Sequence, residues 1–149
     1  MSIRAMASHD VEAVAAIARS SPEAAQWPLA DIEQLAGGEA GGVQGRISEI
    51  GGELAGFLVT RSAAGEVEIL NIAVAPQWRR TGVGSRLLKH ALEEARAAGA
   101  QRVFLEVRES NRAAIALYMR HGFQAAGRRK NYYAAPAEAA LVLAQQIQV

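Results

Sequence analysis

The fold is decided by residues 70–85, which read LNIAVAPQWRRTGVGS. The segment begins inside Val67–Val74, a run too apolar for a strand with one face in water, so we expect this strand at the centre of a sheet. It leads into the longest helical pattern of the chain, Gly82–Ala98, which Gly99 terminates. A strand, a glycine-containing turn and a helix N-terminus in this order are typical of a binding site for an anion such as phosphate.

The turn itself has the composition that such a site needs. The first N–H groups of a helix have no partner within the helix, and Gly82 and Gly84 allow them to approach phosphate oxygens closely. Arg79 and Arg80 add positive charge. The spacing is neither the dinucleotide fingerprint, because Leu87 stands at its third glycine position, nor a P-loop, because no Gly-Lys-Ser/Thr follows. From these residues alone, phosphate binding and an ordinary turn both stay open.

Periodicity and turn residues predict the remaining elements. Before the central strand we expect strands at Ser2–Met6, Val43–Ile50 and Glu53–Thr60, and helices at His9–Arg19 and Leu29–Leu35. An irregular stretch from Pro22 and a glycine cluster from Gly37 and Gly38 flank the second helix. After the long helix we expect strands at Val103–Val107, Phe123–Ala126 and Glu138–Ile147, and a helix at Asn111–Arg120 capped by Ser110 or Asn111.

The order β-α-α-β-β-β-α-β-α-β-β indicates the fold class. Hairpins followed by a strand–helix–strand unit predict an α/β (α+β) fold in which a mixed sheet carries helices on both faces. The crossover through the long helix should join parallel strands with a right hand. A length of 149 residues suits one domain, which we expect over residues 1–149.

Composition excludes several classes of function. The chain has no cysteine, which removes disulfides, thiolate catalysis and cysteine-based zinc sites. Lys and Arg number 16 against 15 Asp and Glu, so no global charge favours nucleic acid or a membrane. The N-terminus lacks a signal-peptide pattern, and the longest uncharged run, Ala139–Val149, is too short to span a bilayer. We therefore expect a cytoplasmic protein without nucleic-acid or membrane partners. The scattered His9, His90 and His121 suggest no metal site.

Three separated motifs resemble those of the GNAT superfamily of N-acetyltransferases. The first matches the pattern Arg/Gln-x-x-Gly-x-Gly/Ala, and the others follow it in the family's order: Arg79–Gly84, Leu105–Asn111 with Ala114–Tyr118, and Gly122-Phe123. Leu70–Val74 and Arg129–Tyr133 are most similar to bacterial ribosomal-protein-alanine N-acetyltransferases. The resemblance implies a mostly antiparallel sheet of six to seven strands and acetyl-coenzyme A as the co-substrate, without a metal.

The same resemblance implies where the donor binds. Its pantetheine arm would enter between the strands that end near Val74 and Arg108. The backbone of the first strand would hydrogen-bond this arm through Ile72, Ala73 and Val74. The pyrophosphate would be held by backbone N–H groups of Arg80, Thr81, Gly82, Val83, Gly84 and Ser85. Asn111 matches a family position that contacts the donor.

The resemblance further implies that Glu106 accepts a proton and Tyr118 donates one. Amine acetylation needs both, because the nucleophile must be neutral and the departing thiolate must be protonated. Burial in the apolar strand Val-Phe-Leu-Glu-Val would make the Glu106 carboxylate a stronger base. The residues by themselves also allow an exposed carboxylate facing Arg108 at this position, and a core or surface aromatic at Tyr118.

A carboxylate base suits an N-terminal α-amine, with a pKa of about 7.7–8.0, better than a lysine, with a pKa of about 10.4. The resemblance implies that the acceptor is the N-terminal alanine of a small-subunit ribosomal protein. A small-molecule amine or a protein lysine as acceptor, and a non-catalytic acetyl-coenzyme A-binding module, remain alternatives. The sequence leaves the oligomeric state open. It also leaves open whether Trp27 shapes the acceptor groove, and whether Arg128–Lys130 flanks that groove with Tyr132 and Tyr133.

Overall fold

The computed structural model describes residues 1–21, 27–36, 41–134 and 136–147, and within them seven strands form one sheet. The strands are β1 (Ser2–Ala5), β2 (Val43–Ile50), β3 (Glu53–Ala63), β4 (Glu66–Val74), β5 (Arg102–Arg108), β6 (Gln124–Ala134) and β7 (Ala137–Gln146). The α-helices are α1 (Val11–Arg19), α2 (Leu29–Ala36), α3 (Val83–Ala97) and α4 (Arg112–Arg120). Short 3-10 turns cover Ser8–Asp10 and Pro76–Trp78. The predicted order of elements is confirmed.

The sheet has the spatial order β1-β2-β3-β4-β5-β7-β6. Every neighbouring pair is antiparallel except β4 and β5, which are parallel and are connected through α3. The strand expected at the centre, β4, is the fourth of the seven. The last strand, β7, inserts between β5 and β6, so that β6 becomes an edge of the sheet.

Helices cover both faces of the sheet, as predicted. On one face α1 and α2 pack over a core that includes Val14, Ile32 and Phe57. On the other face α3 and α4 enclose a core whose fully buried members include Leu87 and Leu105. Burying one such side chain contributes roughly 1.5–3 kcal/mol. The sheet is therefore held between two apolar layers. In the described part of the chain, no helix combines the length and hydropathy that crossing a bilayer requires.

The largest error of the sequence prediction is β6, which we expected at Phe123–Ala126 and which runs from Gln124 to Ala134. Nearly all of its residues are exposed, so no apolar alternation marks the strand in the sequence. Smaller differences occur at the ends of β1, β3, β4, β7 and the helices. Pro22, Gly37 and Gly38 lie outside the described residues.

Candidate active site

The two central parallel strands separate where a ligand could enter. Their register runs from Glu66 opposite Arg102 to Ile69 opposite Leu105 and stops there, although both strands continue. At this point β4 contains a bulge, in which Leu70 is the extra residue opposite β3. A bulge bends a strand and increases its twist, which accounts for the divergence from β5. In the described residues, the edge of β4 facing β5 therefore has no strand partner beyond the bulge.

The turn between β4 and α3 presents backbone N–H groups beside this opening. Gly82 caps α3 with φ of 90° and has no side chain that could accept hydrogen bonds from the first helical turn. The N–H groups of Val83, Gly84 and Ser85 also lack partners within the helix. Arg80 has φ of 63°, a conformation that costs a non-glycine residue about 1 kcal/mol. Such alternating backbone conformations make a concave surface of N–H groups that suits an anion.

Arg79 has a structural role that the sequence did not predict. Its guanidinium donates to the carbonyl of Ser20 and to the Ser21 hydroxyl, both at 2.9 Å, and to the carbonyl of Val74 at 3.3 Å. The side chain therefore anchors the turn to the segment that follows α1. Arg80 is exposed.

Two further residues that were predicted to contact the donor, Asn111 and Ser85, make side-chain contacts within the protein. The Asn111 side chain caps α4, because its Oδ1 accepts a hydrogen bond from the Ala114 N–H at 3.2 Å. The Ser85 hydroxyl lies 3.1 Å from Nε2 of His121, which follows α4. This contact joins the first turn of α3 to the end of α4. In the described residues, no cluster of three or more His, Asp or Glu side chains is placed to hold a metal ion.

Glu106 is a buried carboxylate next to the strand separation. Its side chain is 9% exposed and alternates with Leu105 and Val107, so it lies on the face of the sheet covered by α1 and α2. Oε1 is 3.3 Å from the guanidinium of Arg129, whereas Oε2 is shielded from solvent and has no hydrogen-bond partner in the described residues. The alternative of an exposed carboxylate facing Arg108 is therefore wrong.

Arg108 contacts other groups beside Glu106. Its guanidinium lies 3.3 Å from Glu138 and stacks on the ring of Tyr133, 4.2 Å from the centroid. Tyr132 packs edge-to-face against Tyr133, with 5.0 Å between ring centroids. The Arg129 guanidinium lies over the ring of Tyr132, 5.5 Å from its centroid. Whether Arg128–Lys130 flanks an acceptor groove stays a prediction.

The phenols near Glu106 stay protonated at neutral pH. A hydrogen-bonding interaction with the Glu106 carboxylate raises the pKa of Tyr132 to about 12. Burial raises the pKa of Tyr133, and the Glu106 charge raises it further. Burial also raises the pKa of Tyr118, with a smaller contribution from Tyr133. Because Tyr133 interacts electrostatically with both Glu106 and Tyr118, all these groups belong to one region.

Tyr118 is also part of the core. It is 6% exposed, and its ring packs edge-to-face on Phe123 with centroids 5.8 Å apart. The interpretation as a core aromatic is therefore correct for its ring. Its hydroxyl, next to Tyr133, remains a candidate proton donor.

The sequence is similar to those of known acetyltransferases. The model of the Acetyltransferase (GNAT) family matches residues 11–123. The ribosomal protein bS18-alanine N-acetyltransferase of Escherichia coli K12 is 45% identical over 82 residues, 55% of this chain and 55% of that enzyme. The chain thus spans about half the length of curated relatives such as this enzyme.

Solved structures are similar over nearly the whole chain. The crystal structure of the ribosomal-protein-S18-alanine N-acetyltransferase from E. coli has a TM-score of 0.86 and 31% identity, covering 99% of this chain and 94% of that one. Ard1 from Thermoplasma volcanium has a TM-score of 0.88 and 30% identity, covering 99% and 98% of the two chains.

Proposed function

The chain belongs to the acetyltransferase (GNAT) family, and we propose that it transfers an acetyl group from acetyl-coenzyme A to the N-terminal α-amine of a protein. The names of its E. coli relatives suggest the N-terminal alanine of a small-subunit ribosomal protein as acceptor. Such an acceptor would place the reaction in the cytoplasm. The proposal treats residues 1–149 as one N-acetyltransferase domain. Its main support is the separation of β4 from β5 with the incompletely hydrogen-bonded Glu106 beside it.

The residues present fit the donor that the family uses. The β5-facing edge of β4 would hydrogen-bond the amides of the pantetheine arm through Ile72, Ala73 and Val74, as an added strand does. The pyrophosphate would lie on the N–H groups of the turn and of the first turn of α3, which belong to Arg80, Thr81, Gly82, Val83, Gly84 and Ser85. Asn111 would position α4 beside acetyl-coenzyme A. Its side-chain NH2 group can donate hydrogen bonds to that molecule.

Glu106 and Tyr118 would perform the proton transfers. Acetyl-coenzyme A, when bound, supplies a thioester carbonyl to the attacking amine. Oε2 of Glu106 accepts the proton that the ammonium must lose, directly or through water. Tyr118 stays protonated because its pKa is raised, and its hydroxyl donates to the sulfur as the carbon–sulfur bond breaks. Because the raised pKa makes complete transfer of the phenol proton less favourable, the Tyr118 hydroxyl would first stabilise the thiolate by a hydrogen bond. Coenzyme A would leave the site afterwards.

Acetyl transfer to a panel of acceptors tests the proposal. The acceptors are an alanine-initiated peptide without lysine, the same peptide with a blocked N-terminus and one lysine, and a polyamine. We expect the first to react fastest. We also expect Glu106→Gln to reduce kcat at least about 100-fold and Tyr118→Phe at least about 10-fold. Calorimetric affinity for coenzyme A should be retained in both variants.

Glu109→Gln is the matched control, because Glu109 is an exposed carboxylate three residues away that pairs with Arg128. It should keep the wild-type rate. A preference for lysine or polyamine would contradict the acceptor class, and undiminished rates in both variants would contradict the assigned roles. If coenzyme A does not bind to the wild-type chain, the whole proposal is wrong.

A further inference from the structure

The two oxygens of the Glu106 carboxylate have different surroundings. Oε1 lies 3.3 Å from the guanidinium of Arg129, and Oε2 is buried without a hydrogen-bond partner in the described residues. A buried carboxylate oxygen without a donor is unfavourable for folding. Oε2 is therefore the oxygen that can still accept a hydrogen bond or a proton.

Strand geometry directs Arg129, and not its neighbour, toward this carboxylate. Successive residues of a strand point to opposite faces, so Arg128 and Arg129 diverge. Arg128 pairs with Glu109 at the surface. Arg129 has to reach across β7, and its register partner there is Ala140, which is fully buried and has a short side chain.

The other charged groups near Glu106 are engaged with one another. Arg108 of β5 lies 3.3 Å from Glu138 of β7 and stacks on Tyr133. Tyr132 and Tyr133 of β6 are protonated, since the pKa of each is raised, and Tyr132 forms a neutral hydrogen-bonding contact with the Glu106 carboxylate. Arg129 is thus the cation within ion-pair distance of Glu106 in the described part of the chain.

From this arrangement we propose that Arg129 is a positioning residue of the reaction. Its guanidinium holds Oε1 and thereby turns Oε2 toward the acceptor amine. The inference rests on the proposed function, in which Glu106 is the proton acceptor.

The Arg129 side chain is 59% exposed, whereas the Glu106 side chain that it contacts is 9% exposed. Removing the cation leaves a buried carboxylate without its counter-charge, so urea unfolding of each variant is measured beside the kinetics. Variants that unfold at the wild-type urea concentration separate an effect on catalysis from an effect on structure.

Arg129→Gln, Arg129→Lys and the control Arg128→Gln test the inference, with kcat and KM for the alanine-initiated peptide measured for each variant. We expect Arg129→Gln to lower kcat about ten-fold and to change KM less than about two-fold, because the carboxylate is no longer held in the orientation that proton transfer needs. Arg129→Lys should recover most of the loss, since a cation remains to hold Oε1. Arg128→Gln should match the wild-type kcat and KM.

A double-mutant cycle completes the test. In a Glu106→Gln background, Arg129→Gln should cause no further loss, because the group that it positions is absent. A wild-type kcat for Arg129→Gln, a loss that is confined to KM or is not rescued by lysine, or additive losses in the cycle would overturn the inference. If Glu106→Gln is inactive and Arg129→Gln resembles wild type, only the inference fails. If Glu106→Gln is fully active, the proposed function fails first.

Discussion

Two buried carboxylates of this protein lie in opposite kinds of site. Asp10, where β1 leads into α1, has 4% of its side chain exposed, and both of its oxygens lie 2.7 Å from Arg4 nitrogens. The Ala7 N–H adds a third hydrogen bond at 2.7 Å. Glu106, in the middle of the sheet, is almost equally buried, but it has one ion-pair contact at 3.3 Å and an oxygen without a partner.

The difference separates a structural charge from a candidate functional one. Burying a charge is tolerated when hydrogen bonds and a counter-charge replace water, as they do for Asp10. Hydrogen bonding to Arg4 lowers the pKa of Asp10 and holds it ionised. At Glu106 the replacement is incomplete, because one oxygen has no hydrogen-bond partner among the described residues. Burial alone would not distinguish the two residues.

Removing the Asp10 charge should have the largest effect on stability. Asp10→Asn should lower the free energy of unfolding at pH 7 by about 2 kcal/mol, because Arg4 loses its most buried counter-charge, which it contacts through both oxygens. Arg4 keeps its contact with Glu49, which limits the loss. Urea unfolding measures the effect, and Glu49→Gln, at the more exposed end of the cluster, should cost less than about 1 kcal/mol. An equal loss in both variants would show that the buried geometry of Asp10 is unimportant.

The effect of pH should be smaller and should be confined to acid. Because the folded-state pKa of Asp10 is lowered, its contribution is complete above the unfolded value of about 3.9 and disappears as pH falls through the folded-state pKa. The stability difference between wild type and Asp10→Asn should therefore shrink as pH decreases below about 4. Unfolding curves at pH 7, 5, 4 and 3 test this. A difference independent of pH would mean that the charge of Asp10 does not stabilise the fold.

Neutralising Glu106 should change stability least. Glu106→Gln removes a charge whose burial is incompletely compensated, so the free energy of unfolding should stay within about 1 kcal/mol of wild type or rise. The same variant should lose acetyl transfer, as described above. The measurement is urea unfolding beside Asp10→Asn under identical conditions. A loss above about 2 kcal/mol would place Glu106 with Asp10 as a structural charge and would remove the contrast.

Sequence reasoning was most successful where local patterns and packing agree. The apolar run of β4, the glycine turn and the long amphipathic α3 predicted the central unit and the order of elements. It was least successful at β6, since an exposed edge strand shows no alternation. The contact between Arg129 and Glu106 depends on β7 lying between their strands, and on a shift of register between Arg129 and Tyr133. Neither is visible in a linear pattern.

The sequence by itself determined the elements of this fold, the class of turn before α3 and, through motif resemblance, the family. Those features depend on side-chain periodicity and backbone conformation within a few residues. The tertiary structure alone decided that β4 and β5 separate after Ile69, that Arg79 anchors the turn, and that Glu106 keeps one oxygen without a partner. These outcomes depend on strand pairing and burial between distant segments, because hydrogen bonds and charges are completed only by the groups that folding brings together.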